Sequence, residues 1–488
     1  MKNRTLIMSV IATCGIAGST YAQTAANRSV SKIMSKGFLW GIGTAAYQVE
    51  GAYKADGKGE SNWDYYANEV GLTKYTIGEK QTGNIAINMY DRTQYLKDIK
   101  LMQELGVNTY RFSIPWSRII PQGTGQVNEK AIAHYKLLIK DLKDAGIEPF
   151  VTLYHFDMPQ ALVAKGGWAN RASVEWYRAY ANVIFKEFGT EVKHFATFNE
   201  TTMEFFVADF NINPGQSKKT ANVRYAMEID KVHHELLASA TAIKDYHDLN
   251  LGGKIGITFN LAPCIPFDPA NPEDVAAAPL EDQLLNQIVL NPTFKGSYPA
   301  QALAMIQKFY PAFQPPAADL LFMSANKPDF LGVNFYAPAQ VKHDDKAAMG
   351  VSWLGNNTDK VKMSNGPVRP DYLCELLLRL KNEYGNPEIY ITENGASFQN
   401  GEDTVINGQV NDHLRSDYVK THIAAALKAK NEGSNLSGYF VWSGWDNFEW
   451  TFGYSIRYGI IYVDYKTQKR IPKKSFYTYR DIIKRQTR

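Results

Sequence analysis

Two glutamates stand out by their surroundings. Glu200 closes Lys193-His194-Phe195-Ala196-Thr197-Phe198-Asn199-Glu200, and Glu393 lies in Glu388-Ile389-Tyr390-Ile391-Thr392-Glu393-Asn394-Gly395. Both follow short apolar runs rich in β-branched and aromatic residues, so each carboxyl should emerge at the C-terminal end of a strand, beside an Asn. Two carboxyls presented this way can divide one task. One stays protonated and donates to a leaving oxygen, while the other stays ionised and attacks or shields an electron-poor carbon; this is the chemistry that a glycosidic bond requires.

The elements that must hold them recur along the chain. Strand-like runs fall at 38–45, 109–114, 149–154, 194–199, 254–259, 330–336, 388–392 and 438–442, with helical patterns between them. Leu96, Ile99, Met102 and Leu105 precede Gly106, and Ile132, Tyr135, Leu138 and Leu142 precede Gly146. A helix, a glycine that ends it and then an apolar strand mark the return to a parallel sheet. Further helices are predicted over 173–188, 222–247, 371–384, 413–431 and 473–484. Eight βα units without a Ser/Gly linker predict an α/β fold of the (β/α)8 TIM-barrel type, a single domain over 23–488, although length alone would suit about three domains. The rival is an open doubly wound sheet, which usually carries a Gly-rich phosphate turn; Gly41-x-Gly43 lacks the third glycine. The long connections 211–220, 260–279 and 342–367 read as loops that shape a pocket.

Residues 1–22 read as a secretory signal peptide. Met1-Lys2-Asn3-Arg4 leads into an apolar stretch too short for a membrane span, and Thr20-x-Ala22 places small residues where cleavage after Ala22 would occur. Secretion or delivery to a periplasm is the expectation. Ile11-Ala12-Thr13-Cys14 loosely resembles a lipoprotein box, but the Thr before Cys14 and the short apolar core argue against lipid anchoring. Loss of Lys2 and Arg4 takes the formal net charge from +4 to +2. With no basic stripe and no acidic block, neither nucleic acid nor an anionic membrane is indicated as a partner. Cys264 and Cys374 remain after cleavage. They could form at most one bridge, and no Cys or His cluster has the spacing of a metal site.

Six motifs then occur in order: Phe38-Leu39-Trp40-Gly41, Ala46-Tyr47-Gln48-Val49-Glu50-Gly51, Tyr110-Arg111-Phe112-Ser113-Ile114-Pro115-Trp116-Ser117-Arg118, Thr197-Phe198-Asn199-Glu200, Ile391-Thr392-Glu393-Asn394-Gly395 and Asp446-Asn447-Phe448-Glu449-Trp450. Together they resemble glycoside hydrolase family 1, the β-glucosidase-type retaining enzymes, over 38–477. The resemblance implies Glu200 as general acid/base and Glu393 as nucleophile. Arg111, expected at the end of the second strand, would keep Glu393 ionised, and the Tyr336 hydroxyl would bond it. Gln48, His155, Asn199, Trp442, Glu449 and Trp450 would contact the sugar, with Asn199 on the 2-hydroxyl, and Trp353 would line the aglycone side. No metal and no organic cofactor is implied; the partner is a small β-glucoside or β-linked oligosaccharide.

Two departures from the family pattern matter. His-Trp-Asp is here His155-Phe156-Asp157, which removes an indole N–H, and Asn-Glu-Pro is here Asn199-Glu200-Thr201, which frees a φ angle beside the acid/base and adds a hydroxyl. Relatives that hydrolyse 6-phosphoglycosides place a serine at Glu449 and a lysine at Ile456, so an unphosphorylated sugar is expected. Retention of both glutamates argues against a sugar-binding member without activity. The same residues would serve β-galactosides, β-fucosides or transglycosylation, and the sequence leaves these alternatives to β-glucoside hydrolysis open, along with the oligomeric state.

Overall fold

The computed structural model describes residues 37–70, 81–205, 218–353, 363, 366–398 and 401–487. The signal peptide predicted over 1–22 and residues 211–217 of the 211–220 connection lie outside them. Eight parallel strands close a barrel: β1 (Leu39–Gly43), β2 (Thr109–Ser113), β3 (Glu148–Tyr154), β4 (His194–Asn199), β5 (Lys254–Asn260), β6 (Phe330–Asn334), β7 (Glu388–Asn394) and β8 (Leu436–Trp442). Each strand pairs with its sequence neighbours, and β1 pairs with β8 to complete the ring. The (β/α)8 expectation holds.

The last helix before each strand from β2 onward is, in order, α1 (Arg92–Leu105), α2 (Glu129–Asp144), α3 (Ser173–Phe188), α4 (Ile229–Leu249), α5 (Ala317–Ala325), α6 (Pro370–Glu383) and α7 (His413–Asn431), and α8 (Lys474–Thr487) follows β8. Their ends follow local chemistry. The Asp91 side chain accepts from Thr93 N to start α1, Asn128 accepts from Lys130 N to start α2, and Gly106 (φ 84°) and Gly146 (φ 76°) stop them in the left-handed region.

Several boundaries differ from the sequence reading. The helix predicted over 222–247 is two, Lys218–Met227 and α4, because the turn tightens at Glu228, whose N–H bonds Tyr225 O three residues back. The 260–279 and 342–367 connections are not plain loops: Cys264–Pro266, Ala339–His343 and Val351–Trp353 form a small sheet, and Pro272–Asp282 is helical. The strand predicted over 330–336 stops at Asn334, and Arg111 lies in the middle of β2 rather than at its end. Cys264 and Cys374 are both free thiols.

Inside the barrel, Phe150, Ala196, Phe330, Tyr390 and Phe440 pack as one buried layer, with Phe150 ring centroids 5.4 Å from Phe330 and 5.2 Å from Phe440. This layer plugs the N-terminal half. Anything polar that points into the barrel above it meets the C-terminal mouth, where βα loops gather.

Candidate active site

Glu200 is the first residue past β4. Its N–H still bonds Thr258 O at 2.9 Å, but its φ of 52° breaks the strand, and the β4–β5 register slips between Ala196 and Asn199. Glu393 lies in β7 opposite Asn334 of β6, at another register slip. Irregularities of this kind re-aim side chains. Gly395 completes the geometry: a Cβ there would lie 1.6 Å from the Trp442 carbonyl oxygen, so no other residue fits the approach of β7 to the end of β8.

Both carboxyls are buried, and their partners differ. Glu393 Oε1 accepts from Arg111 Nη1 at 2.6 Å, and Oε2 accepts from the Tyr336 hydroxyl at 2.6 Å. Glu200 Oε1 accepts from the Asn334 amide at 2.5 Å, and no cation among the described residues pairs with it. Arg111 itself is wholly buried and fully engaged, donating to Thr152 Oγ1 at 3.1 Å, the Thr392 carbonyl at 3.3 Å and Asn199 Oδ1 at 2.6 Å. Burial, then the charge of Glu393, pushes Glu200 up to about 8. Burial also raises Glu393 above the ordinary carboxylate range, but Arg111 and Tyr336 oppose it. The pair is therefore biased toward a proton on Glu200 and a charge on Glu393.

The expected sugar contacts gather on the same rim. Gln48 Nε2 donates to Asn447 Oδ1, the Phe448 carbonyl and Glu449 Oε2 at 2.9–3.1 Å, leaving its buried Oε1 without a partner among the described residues. Asn199 Oδ1 accepts from Arg111 and from Asn334, so the side chain is fixed, and its buried Nδ2 has no partner among the described residues. His155 Nδ1 is likewise unpartnered, and burial followed by the nearby Arg111 charge keeps the imidazole neutral. Buried polar atoms are normally paired, so three orphans on one rim mark where ligand hydroxyls would bond. Burial raises Glu449 to about 8 as well. His155 stacks between Trp442 (5.7 Å) and Trp450 (5.8 Å).

Ten of the eleven candidates thus meet in one site. Phe156 occupies a left-handed position (φ 73°) with its ring 5.2 Å from Trp450, so this position offers an apolar contact and no N–H. Thr201 is buried with an unpartnered hydroxyl next to Glu200. The side chain of Trp353 lies outside the described residues. Sequence reasoning missed Asn334, although it stands in the same Asn334-Phe335-Tyr336 segment as Tyr336; Thr392 Oγ1 donates to its carbonyl at 2.8 Å. It also missed Asn447, which stands two residues before Glu449 in the same motif and accepts from Gln48 Nε2 at 3.1 Å.

A model of glycosyl hydrolase family 1 matches residues 30–488. Beta-glucosidase A of Enterobacter agglomerans is 42% identical over 456 residues, 92% of this chain and 94% of that relative. Beta-glucosidase A of Thermotoga maritima is 41% identical over 458 residues, 93% of this chain and 98% of that relative. The solved beta-glucosidase from Thermotoga maritima in complex with glucoimidazole has a TM-score of 0.83 at 40% identity, covering 93% of this chain and 99% of that one. Similarity of this length and depth, on a barrel that carries both carboxyls where the motifs put them, means that the chain belongs to glycosyl hydrolase family 1.

Proposed function

We propose that the chain is a retaining β-glucosidase that removes terminal, non-reducing, unphosphorylated β-D-glucosyl residues by double displacement. The observation that carries this is the unequal support of the two carboxyls: Arg111 and Tyr336 hold Glu393, while Glu200 accepts from the Asn334 amide and rises to about 8. In the first step Glu393 attacks the anomeric carbon as Glu200 gives its proton to the departing glycosidic oxygen. In the second step Glu200, now a carboxylate, takes a proton from water, whose oxygen attacks the same carbon and releases Glu393. Retaining sites hold their carboxyls about 5 Å apart; contact of the Asn334 amide with Glu200, and its influence on Glu393, support such proximity. The names of the relatives support glucose as the glycone.

A 2-deoxy-2-fluoroglucosyl fluoride tests the assignment. It should inactivate the enzyme, with one label on the peptide containing Glu393, and NMR of a normal turnover should show β-glucose formed first. A label elsewhere, or α-glucose as first product, would overturn the reading. The leader supports export, and a mature chain starting at Gln23 in the periplasmic or secreted fraction is the corresponding observation by N-terminal sequencing.

A further inference from the structure

We propose that Tyr418, a buried residue of α7, is a positioning residue for the nucleophile: its hydroxyl fixes both Tyr336 and Asn394, which adjoin Glu393, and so sets the bond between Tyr336 and Glu393. The inference rests on the double-displacement reading with Glu393 as nucleophile. Strand β6 ends at Asn334, so Tyr336 reaches Glu393 Oε2 at 2.6 Å from beyond the last ladder pair. Three bonds hold it there. Phe335 N donates to the Glu393 carbonyl at 3.0 Å, the Asn394 amide donates to the Phe335 carbonyl at 2.6 Å, and the Tyr418 hydroxyl donates to the Tyr336 carbonyl at 2.7 Å. The Tyr418 oxygen also accepts from the Asn394 amide at 3.0 Å, and Tyr439 of β8 donates to Asn394 Oδ1. Turning that amide over would set its oxygen against the Phe335 carbonyl, so its orientation is fixed.

Tyr418 is itself held firmly. Arg415, Tyr418 and His422 stand three and four residues apart on α7 and share one buried helix face. Arg415 Nε donates to the Ala396 carbonyl at 2.9 Å, while the His422 ring stacks on Tyr418 at 3.7 Å and its Nδ1 donates to the Tyr418 carbonyl at 2.9 Å. Burial lowers His422 to about 4, so the ring is neutral above that value, and burial raises Tyr418, so its hydroxyl keeps the proton it donates. The titratable groups that face Glu393 are Arg111 from β2, Glu200 beyond β4, Glu449 beyond β8 and Tyr336. Tyr418 changes none of their charges. It acts on Glu393 through the place it gives Tyr336.

The test measures kcat/KM for 4-nitrophenyl β-glucoside against pH in wild type, Tyr418→Phe, Tyr336→Phe and the double variant Tyr336→Phe/Tyr418→Phe. Phenylalanine at 418 keeps the ring on His422 and removes only the hydroxyl. Tyr418→Phe should lower kcat/KM by about ten- to a hundredfold, the scale of a misplaced reacting group. Its acid limb should move upward by about half a unit, because Glu393 loses part of a bond that favours its ionised form, while the alkaline limb stays within about 0.2 unit. Tyr336→Phe should move the acid limb at least as far. The double variant should match Tyr336→Phe, since Tyr418 then has no hydroxyl left to position. An acid limb unmoved in Tyr418→Phe, a shift carried by the alkaline limb instead, or losses that multiply in the double variant would overturn the role. Failure of the parent reading looks different, since Tyr336→Phe would then itself leave the acid limb in place.

Discussion

The Asn334 amide lies 2.5 Å from Glu200 Oε1 and 3.1 Å from Asn199 Oδ1, with its own carbonyl held by Thr392 at 2.8 Å. The amide cannot turn without breaking the last bond, so its N–H groups face two strand-end residues that the proposed reaction uses. A donor to a carboxylate favours the ionised form. Asn334 therefore works against the burial and the Glu393 charge that raise Glu200 to about 8.

The first prediction is a bell-shaped pH profile of kcat/KM with an alkaline limb near pH 8. Glu200 must carry a proton to donate, so activity is present below that value and falls as pH rises through it. Glu393 must be ionised, so the acid limb lies at its own raised pKa, and activity falls as pH drops through it. Asn334→Ala removes a donor from both carboxyls and should move both limbs upward, the alkaline one by about one unit. An unmoved or lowered alkaline limb would show that the amide does not set the proton on Glu200.

Glu200→Ala should spare substrates that leave without protonation. General acid assistance is worth roughly 10²–10⁴-fold, so cellobiose hydrolysis should fall by about that factor while the first step on a dinitrophenyl glucoside survives. Azide should then restore turnover and yield β-glucosyl azide. Equal losses on both substrates, without an azide product by NMR, would remove Glu200 from the acid/base role.

The barrel was legible because its signal repeats: short apolar runs alternate with helical patterns along the chain, and Gly106 and Gly146 end their helices as the pattern requires. The two carboxyls were legible because each stands in a compact motif. What escaped depends on reach and on burial, which sequence spacing does not encode. Asn334 meets Glu200 across 134 positions of chain, and Arg111 lies in mid-strand yet spans to β4 and β7 because its side chain is long. The protonation of Glu449 is likewise a consequence of enclosure, since nothing in Asp446-Asn447-Phe448-Glu449 marks a carboxyl that rises to about 8.

The segment that carries Glu449 and Trp450 is gripped from behind by buried ion pairs. Lys473 Nζ donates to Asp446 Oδ1 at 2.8 Å and also to Asp403, while Arg457 binds the other Asp446 oxygen at 2.6 Å and Arg415 bridges Asp403 and Asp412. Burial alone would raise Asp403, but Lys473 and Arg415 outweigh it and hold the carboxyl at about 2. Its folded pKa is depressed, so this stability is present above the ordinary carboxylate range and is lost as pH falls toward 2. Lys473→Met leaves buried carboxylates short of a cation and should cost about 3–5 kcal/mol, read from denaturant unfolding at pH 7. The same variant should raise KM for nitrophenyl glucoside more than it lowers kcat. A loss below about 1 kcal/mol would show that water reaches the network.

The last prediction concerns a 6-phosphate on the sugar. Relatives that accept it carry a lysine at the position of Ile456, which here packs against the Ala45, Trp442 and Tyr458 cluster and offers no charge. From sequence, Glu449 looked like an anion that would repel a phosphate at a cost on the order of 4 kcal/mol for unit charges about 4 Å apart at an effective dielectric of 20. Enclosure changes that argument. With its carboxyl raised to about 8, Glu449 is protonated at lower pH and the repulsion is avoided there. Only the missing cation then discriminates, which is worth roughly a hundredfold. Above pH 8 the ionised carboxyl adds its repulsion, and discrimination should grow beyond roughly a thousandfold. The ratio of kcat/KM for nitrophenyl β-glucoside to that for its 6-phosphate, measured at pH 6 and at pH 8.5, checks both halves. A ratio near one at pH 6 would refute the role given to Ile456, and a ratio that does not widen with pH would refute the titration of Glu449.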